Sequence, residues 1–159
     1  KMKQYLRKAE RPLQQIHNRL TELEYCVPFE KKHRKIGAHR THNMGPILPG
    51  INGCQYSIFS REDFTLSIYN PNNCCSLNDG SIVIIENIVT NAANDLFIIG
   101  RKFINLSDLY TDPCNSSFLG IYKSTAKCEN LLAWPLTFVK TKYVKFNFYD
   151  TFILLPLLH

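Results

Sequence analysis

Two hydrophobic periods divide the chain into a helical part and a strand-rich part. Between Met2 and Leu23, apolar residues recur at alternating spacings of four and three, which is the pattern of an amphipathic helix. Pro12 interrupts this pattern, and proline is tolerated in the first turn of a helix. The pattern therefore predicts a helix over residues 12–25. From Gln55 onward, short apolar runs alternate with turn residues, as is typical of β-strands.

The apolar face of the predicted helix is formed by Leu13, Ile16, Leu20 and Leu23. Such a face serves either as the interface of a coiled-coil homodimer or as a surface that packs on the helix's own domain. Isolated helices of this length are marginal in water. This favours packing on the domain, and the homodimer stays an alternative.

The strand-rich part predicts a mainly β fold. Its clearest feature is a hairpin of residues 81–89 and 96–102, joined by a polar turn at 91–94. The predicted strands span residues 56–60, 65–69, 81–89, 96–102, 119–123, 136–140, 143–148 and 151–155, and residues 106–110 are predicted as one helical turn. Many short strands with turns at regular intervals predict an antiparallel β-barrel-like domain, here preceded by the N-terminal amphipathic α-helix.

Composition and charge refine this division. Apolar residues make up 45% of the chain, which is enough to form a core. Residues 1–42 contain 11 Lys or Arg against 4 Asp or Glu, a net charge of +7, whereas residues 43–159 have a net charge of −1. We therefore assign residues 1–27 to the helical segment, 28–53 to a basic linker and 54–159 to the β-domain.

The basic linker is the predicted site of nucleic-acid binding. Its cations Lys31, Lys32, Arg34, Lys35 and Arg40 suit sequence-independent contacts with phosphates. The same cluster serves equally well as a nuclear import signal or as a solvated surface. A membrane partner is not expected, because the longest apolar run, residues 152–158, is far shorter than the roughly 20 residues of a membrane-spanning helix.

Residues suited to catalysis are sparse in the β-domain. Four of the five histidines lie in the first 42 residues and the fifth is His159, so a nucleophile activated by histidine is not expected there. The acids are scattered, and Glu86 and Asp108 would have to serve a nuclease or transposase, which is the catalytic alternative. We predict no enzyme activity and no cofactor.

Metal binding is a second, separate question. Cys26, His33, His39 and His42 offer four potential zinc ligands, but the gap between Cys26 and His33 fits no standard zinc-finger spacing. A histidine-containing solvated linker explains the same residues, so no metal site is predicted. Six cysteines without a Cys-x-x-Cys pair, in a chain that shows no secretory signal, favour reduced thiols in an intracellular compartment.

Aromatic residues give a candidate ligand site. Phe103, Tyr110, Tyr122 and Trp134 come from neighbouring strands and loops of the predicted β-domain. Aromatic rings around a cavity can hold a methylated ammonium group by cation–π attraction. Ordinary packing in the core is the alternative for the same four residues.

Residues 79–159 resemble a BAH (bromo-adjacent homology) domain. The segment DGSIVIIE at 79–86 is similar to the family's opening Gly-Asp-x-Val strand, and IIGRKF at 98–103 is similar to the strand that leads to its Arg-containing element. LGIYKS at 119–124 is similar to its Asn-Glu-Leu-Phe-x-Ser segment, and WPLTFVKTK at 134–142 resembles the Pro-Val-x-x-Ile-x-Gly-Lys strand that follows. The resemblance implies a β-barrel of nuclear chromatin proteins that contacts histone tails, nucleosomes or other proteins.

Taken together, these observations predict a non-enzymatic interaction module of a nuclear protein. Its β-domain is expected to bind a protein or a histone-tail peptide, and residues 31–42 are expected to contact nucleic acid. A dimerisation or structural domain of a transposon-derived protein, or a nuclease or transposase fragment, are the alternatives.

Overall fold

The structure is a computed structural model and describes residues 36–157. The predicted helix with Leu13, Ile16, Leu20 and Leu23 lies outside these residues. Within them the chain forms strands β1 (Gly37–His42), β2 (Gln55–Ser60), β3 (Thr65–Ser67), β4 (Cys74–Leu77), β5 (Ile82–Thr90), β6 (Leu96–Ile104), β7 (Ser107–Asp108), β8 (Tyr122–Ser124), β9 (Ala126–Lys127), β10 (Leu132–Pro135), β11 (Val139–Phe148) and β12 (Thr151–Pro156), with 3-10 turns at Ser116–Leu119 and Leu136–Phe138.

All strand pairs in this sheet are antiparallel, and β5 is its central strand. One edge of β5 pairs with β6, while the other edge is shared by β4 and β2. The strands follow the order β1-β2-β5-β4-β11-β12-β8-β7, with β3 beside β2 and with β9 and β10 beside β6. The predicted mainly antiparallel β class is thereby confirmed.

The predicted barrel is not closed. Closure requires the two outermost strands to pair with each other, and within residues 36–157 β1 pairs only with β2, and β7 only with β8. The sheet does not curl back on itself. It branches at β5 and β6, because β6 pairs not only with β5 but also with β9 and β10. The fold is therefore an open, branched antiparallel sheet.

Several predicted boundaries differ from the structure. Residues Gly37–His42, which the sequence assigns to the linker, form strand β1 and pair with β2 at every position except Arg40. Residues 106–110 hold the short strand β7 and no helical turn. Strand β4 lies where no strand is predicted. The predicted hairpin at 81–102 is present as β5 and β6.

Apolar side chains pack on both faces of the sheet, and β5 contributes to both. Val83, Ile85 and Ile88 of β5 belong to a first core cluster, together with residues such as Leu66 and Leu77. Ile82 and Ile84 belong to a second core cluster on the opposite face, whose other members are Cys74, Phe103, Tyr143 and Leu154, with Tyr122 and Phe152 packed against them. This two-sided burial explains why β5 is almost continuously apolar.

A bulge in β5 ties the preceding loop to the sheet. The register of β5 against β6 shifts between Ile85 and Asn87, and Asn87 is fully buried. Its amide nitrogen donates to the carbonyl oxygen of Pro46 and to Oε1 of Gln55, both at 2.8 Å, while its Oδ1 accepts from the backbone N–H of Ile88. One side chain thus satisfies polar groups from three segments.

Candidate functional site

The structure does not bring the four predicted ligand-binding aromatic residues into one cavity. Phe103 and Tyr122 lie in or against the second core cluster, whereas Trp134 packs against the first. Trp134 pairs with Ile98 of β6, and residues 98 and 103 point to opposite faces of a strand. Tyr110 is exposed in the loop after β7. The prediction of one ligand site lined by all four rings is therefore wrong.

Of the predicted nucleic-acid contacts, only Arg40 lies within residues 36–157. It is exposed on β1 and adopts a left-handed backbone conformation, with a φ of 60°. The pairing of β1 with β2 omits Arg40, and the hydroxyl of Ser57 donates to its carbonyl oxygen at 3.1 Å. The other cations, Lys31, Lys32, Arg34 and Lys35, lie outside the described residues.

The histidines and acids considered for metal binding or catalysis are dispersed. His39 and His42 lie three residues apart on β1 and therefore point to opposite faces. Between residues 36 and 157, no group of three or more His, Cys, Asp or Glu side chains could hold a metal ion. Cys26 and His33 lie outside this range.

The two acids of the nuclease alternative have structural partners. Glu86 forms an ion pair with Arg101. Asp108 accepts hydrogen bonds from the backbone N–H of Ser117 at 2.7 Å and from the hydroxyl of Ser116, and these bonds lower its pKa. Both carboxylates thus serve the local fold, and they lie on different strands.

An apolar pocket between segments distant in sequence is a stronger candidate site. We name it the Phe64 pocket; its volume is about 500 Å³, within the range of about 300–1,000 Å³ that ligand sites occupy. Its apolar lining comes from β2, the β2–β3 turn, β6, β10 and the start of β11, through Phe59, Phe64, Leu96, Pro135, Leu136 and Val139. Phe64 and Val139 are buried members of the first core cluster, so the pocket is an opening in this core.

The charged residues of the pocket are Arg61 and Asp95. Arg61 is already paired, because its Nε and Nη2 donate to the two carboxylate oxygens of Asp63, each at 2.7 Å. The guanidinium also lies 4.3 Å from the centre of the Phe64 ring, in cation–π contact. The hydrogen bonds from Arg61 lower the pKa of Asp63 to about 2, so this pair stays charged and balanced near neutral pH.

Asp95 leaves the pocket with an excess negative charge. Its Oδ2 accepts a hydrogen bond from the amide of Asn91 at 3.0 Å, and among the described residues it forms no ion pair. Because the charge of Arg61 is balanced by Asp63, the charge of Asp95 is the net charge of the pocket rim. The site therefore combines apolar walls with an acidic edge.

The sequence does not predict this pocket, because its lining comes from segments up to 80 residues apart whose proximity depends on strand pairing. Phe59 and Phe64 flank the turn at Arg61, and the pairing of β2 with β3 fixes this turn. The local sequence signal for the pocket was the clustering of Phe59, Arg61 and Phe64 around a predicted turn.

The fold and the pocket define a class of protein, an open antiparallel β-domain with an apolar, acid-edged pocket in its core. The chain belongs to the family described as a domain of unknown function (DUF8592), whose model matches residues 41–157. The match begins within β1 and ends at the last described residue, so it covers every strand from β2 to β12. No curated protein and no solved structure matches the chain. Within residues 36–157, no helix is long and apolar enough to cross a membrane.

Proposed function

We propose that this domain is a non-enzymatic interaction module that binds a short segment of a partner protein in the Phe64 pocket. The observation that carries the proposal is the combination of an apolar cavity of about 500 Å³ with an acidic edge. Residues 43–158 contain no histidine, which supports a binding role over one in acid–base catalysis.

The ligand follows from the chemistry of the pocket. An apolar or aromatic side chain would enter between Phe59, Phe64 and Leu136, where it would be removed from water. A neighbouring Lys or Arg of the same segment would face Asp95. A basic peptide with one apolar anchor, such as a histone tail, meets both conditions, and we extend the proposal to a chromatin partner and a nuclear location on this basis and on the BAH resemblance.

The expected affinity of an isolated peptide is low. Burial of one large apolar side chain contributes about 1.5–3 kcal/mol, and an exposed charge pair adds about 1 kcal/mol or less. A dissociation constant of 1 mM corresponds to about 4 kcal/mol, so a short peptide should bind at roughly 1 mM or more weakly. An NMR titration of the full chain suits this range.

The test compares two variants with one control. Leu136→Asp places a charge in the apolar wall and should abolish binding of basic histone-tail peptides, and Asp95→Asn should weaken it several-fold. Asp150→Asn, at an exposed turn between β11 and β12, makes the same change in charge as Asp95→Asn and should have no effect. Indifference of the wild-type chain to every basic peptide, or equal binding by Leu136→Asp, would refute the proposal.

Arg40 supports a second contact of the same module. Its exposed side chain on β1 continues the predicted basic segment that includes Lys31 and Lys35, and we propose that this segment contacts nucleic-acid phosphates. Removing one phosphate contact lowers the salt dependence of binding to double-stranded DNA by about 0.9 in logarithmic slope. Arg40→Gln should show this change in a fluorescence anisotropy titration, and an unchanged slope would exclude Arg40 from the contact.

A further inference from the structure

Two lysines converge on one aromatic ring beside the second core cluster. The Nζ atoms of Lys127 and Lys145 lie 5.9 Å and 5.6 Å from the centre of the Phe152 ring. Phe152 in turn contacts Phe103 edge to face, with ring centres 5.4 Å apart. The lysines come from β9 and β11, so they meet only because of the sheet.

Strand pairing fixes this arrangement. Lys145 stands opposite Leu154, and Phe152 lies two positions along the same face of β12. Lys127 stands opposite Phe103 on the other side of the group. Because opposite residues of an antiparallel pair share a face, both ammonium groups lie on the face of the second core cluster.

No described carboxylate neutralises these two cations. Neither Lys127 nor Lys145 forms an ion pair within residues 36–157. Glu86 is paired with Arg101, and Asp108, opposite Tyr122, accepts hydrogen bonds from Ser116 and Ser117.

Two polar side chains on the same face as Lys145, Cys74 and Tyr143, are neutral at physiological pH. Burial raises the pKa of the Cys74 thiol to about 12, and burial also raises the pKa of Tyr143 to about 12. The Tyr143 hydroxyl donates to the carbonyl oxygen of Gly120 at 2.9 Å. Two like charges near one ring repel each other, and a bound anion would relieve this repulsion.

We propose that Lys127 and Lys145, beside Phe152, form a binding site for a phosphate group. Lysine ammonium groups are compact charges on flexible stems, and they bind phosphate as point charges. The Phe152 ring offers a surface on which a base can stack. The phosphate is therefore that of a nucleotide or of a nucleic-acid backbone.

This proposal also changes the ligand predicted for Phe103 and Tyr122. A methylated ammonium would need an aromatic face free of other cations. The Phe152 ring, which contacts Phe103 edge to face, is already approached by the protein's own ammonium groups. The group therefore attracts an anion, and the site is distinct from the Phe64 pocket.

The experiment uses the full chain and three probes: inorganic phosphate, adenosine monophosphate and a single-stranded oligonucleotide without terminal phosphates. Lys127→Gln/Lys145→Gln should weaken binding of the probe that the wild type binds by about tenfold or more, because hydrogen bonds to charged groups are lost. If the oligonucleotide is that probe, the logarithmic salt slope should also fall by about 1.4. Binding of the monophosphate alone would identify a free nucleotide, and binding of the oligonucleotide would identify a nucleic-acid backbone.

The matched control is Lys123→Gln/Lys140→Gln, which removes the same charge. Lys123 stands opposite Ile153 and so lies on the other face of the sheet, and Lys140 is exposed at the start of β11. The control should bind like the wild type, and both should show probe-induced shifts of the Phe152 ring resonances, whereas Lys127→Gln/Lys145→Gln should not. Equal loss in both double variants would show general charge attraction only, and no binding of any probe by the wild type would overturn the proposal.

Discussion

At the scale of single residues, buried polar side chains hold loops to the sheet through specific hydrogen bonds. Asn87 is the clearest case, because its amide joins Pro46, Gln55 and the β5 bulge. Gly45 packs so close to this amide that a Cβ atom there would overlap it. The loop before β2 is therefore held against the sheet by the hydrogen bonds of this one amide.

Replacing this side chain should be costly. Asn87→Ala would leave the Pro46 carbonyl and the Ile88 N–H without their partner, and each buried unsatisfied group costs about 1–3 kcal/mol. We expect a loss of about 2–4 kcal/mol in the free energy of unfolding, measured by urea denaturation. Asn130→Ala, at an exposed position, should change it by less than about 0.5 kcal/mol. Equal stability of the two variants would contradict this role of Asn87.

Cysteine reactivity should follow burial. Cys74 and Cys75 are fully buried and burial raises both thiol pKa values, that of Cys74 to about 12, whereas Cys54 is exposed. A thiol whose pKa is raised stays protonated until the pH approaches that value, and alkylation requires the thiolate. At pH 8, iodoacetamide should label Cys54 in the native protein and label Cys74 and Cys75 only after denaturation. Labelling of all three at similar rates would contradict the described burial.

The sequence identified chemically suitable residues but did not predict which of them meet. Phe103 and Tyr122 do share a cluster, whereas Trp134 lies on the opposite face. No sequence pattern predicted a site at Lys127, Lys145 and Phe152, because none of them forms a motif within its own segment. Side-chain type is local information, whereas convergence depends on register between strands that are far apart in sequence.

At the scale of elements, the β5–β6 hairpin was the most predictable feature. Its strands are long and rich in β-branched residues, and its turn is polar, so local propensity and tertiary pairing agree. Strand β4, by contrast, has the sequence CCSL and carries little strand signal. It exists because β5 and β11 pair with its two edges.

The bulge in this hairpin depends on a glycine. A Cβ atom at Gly100 would overlap the carbonyl oxygen of Ile84 on the neighbouring strand. Gly100→Ala should therefore force the strands apart and lower the free energy of unfolding by about 3 kcal/mol. Gly80→Ala is the matched control, because Gly80 has a φ of 82° but open space around it, and it should cost only about 1 kcal/mol. Thermal unfolding checks the order of the two, and the reverse order would rule out the clash.

At the scale of the whole molecule, the described residues belong to a unit that begins at Lys35. A fragment of residues 35–159 should therefore unfold cooperatively. Its urea denaturation midpoint should equal that of the sheet in the full chain. A fragment of residues 54–159, cut at the boundary that the sequence predicts, would lose β1 and the Pro46 carbonyl that Asn87 binds. It should be less stable by several kcal/mol or fail to fold.

Circular dichroism with urea denaturation compares these two fragments. Equal midpoints would show that β1 and the loop after it contribute nothing to the stability of the sheet.

The sequence predicted the mainly β class of this unit, because turn spacing and strand propensity are local. It did not predict the open sheet, since closure depends on whether β1 and β7 pair, and no local pattern encodes that pairing.

The left-handed residue on β1 determines how this edge of the sheet can meet other chains. An ordinary edge strand offers a continuous row of N–H and C=O groups on which further strands can add, and this is a route to aggregation. Arg40 interrupts that row, and its carbonyl oxygen is engaged by Ser57. Within the described residues, this edge is thus a poor template for strand addition, and fibrillar association along it is disfavoured by the backbone itself.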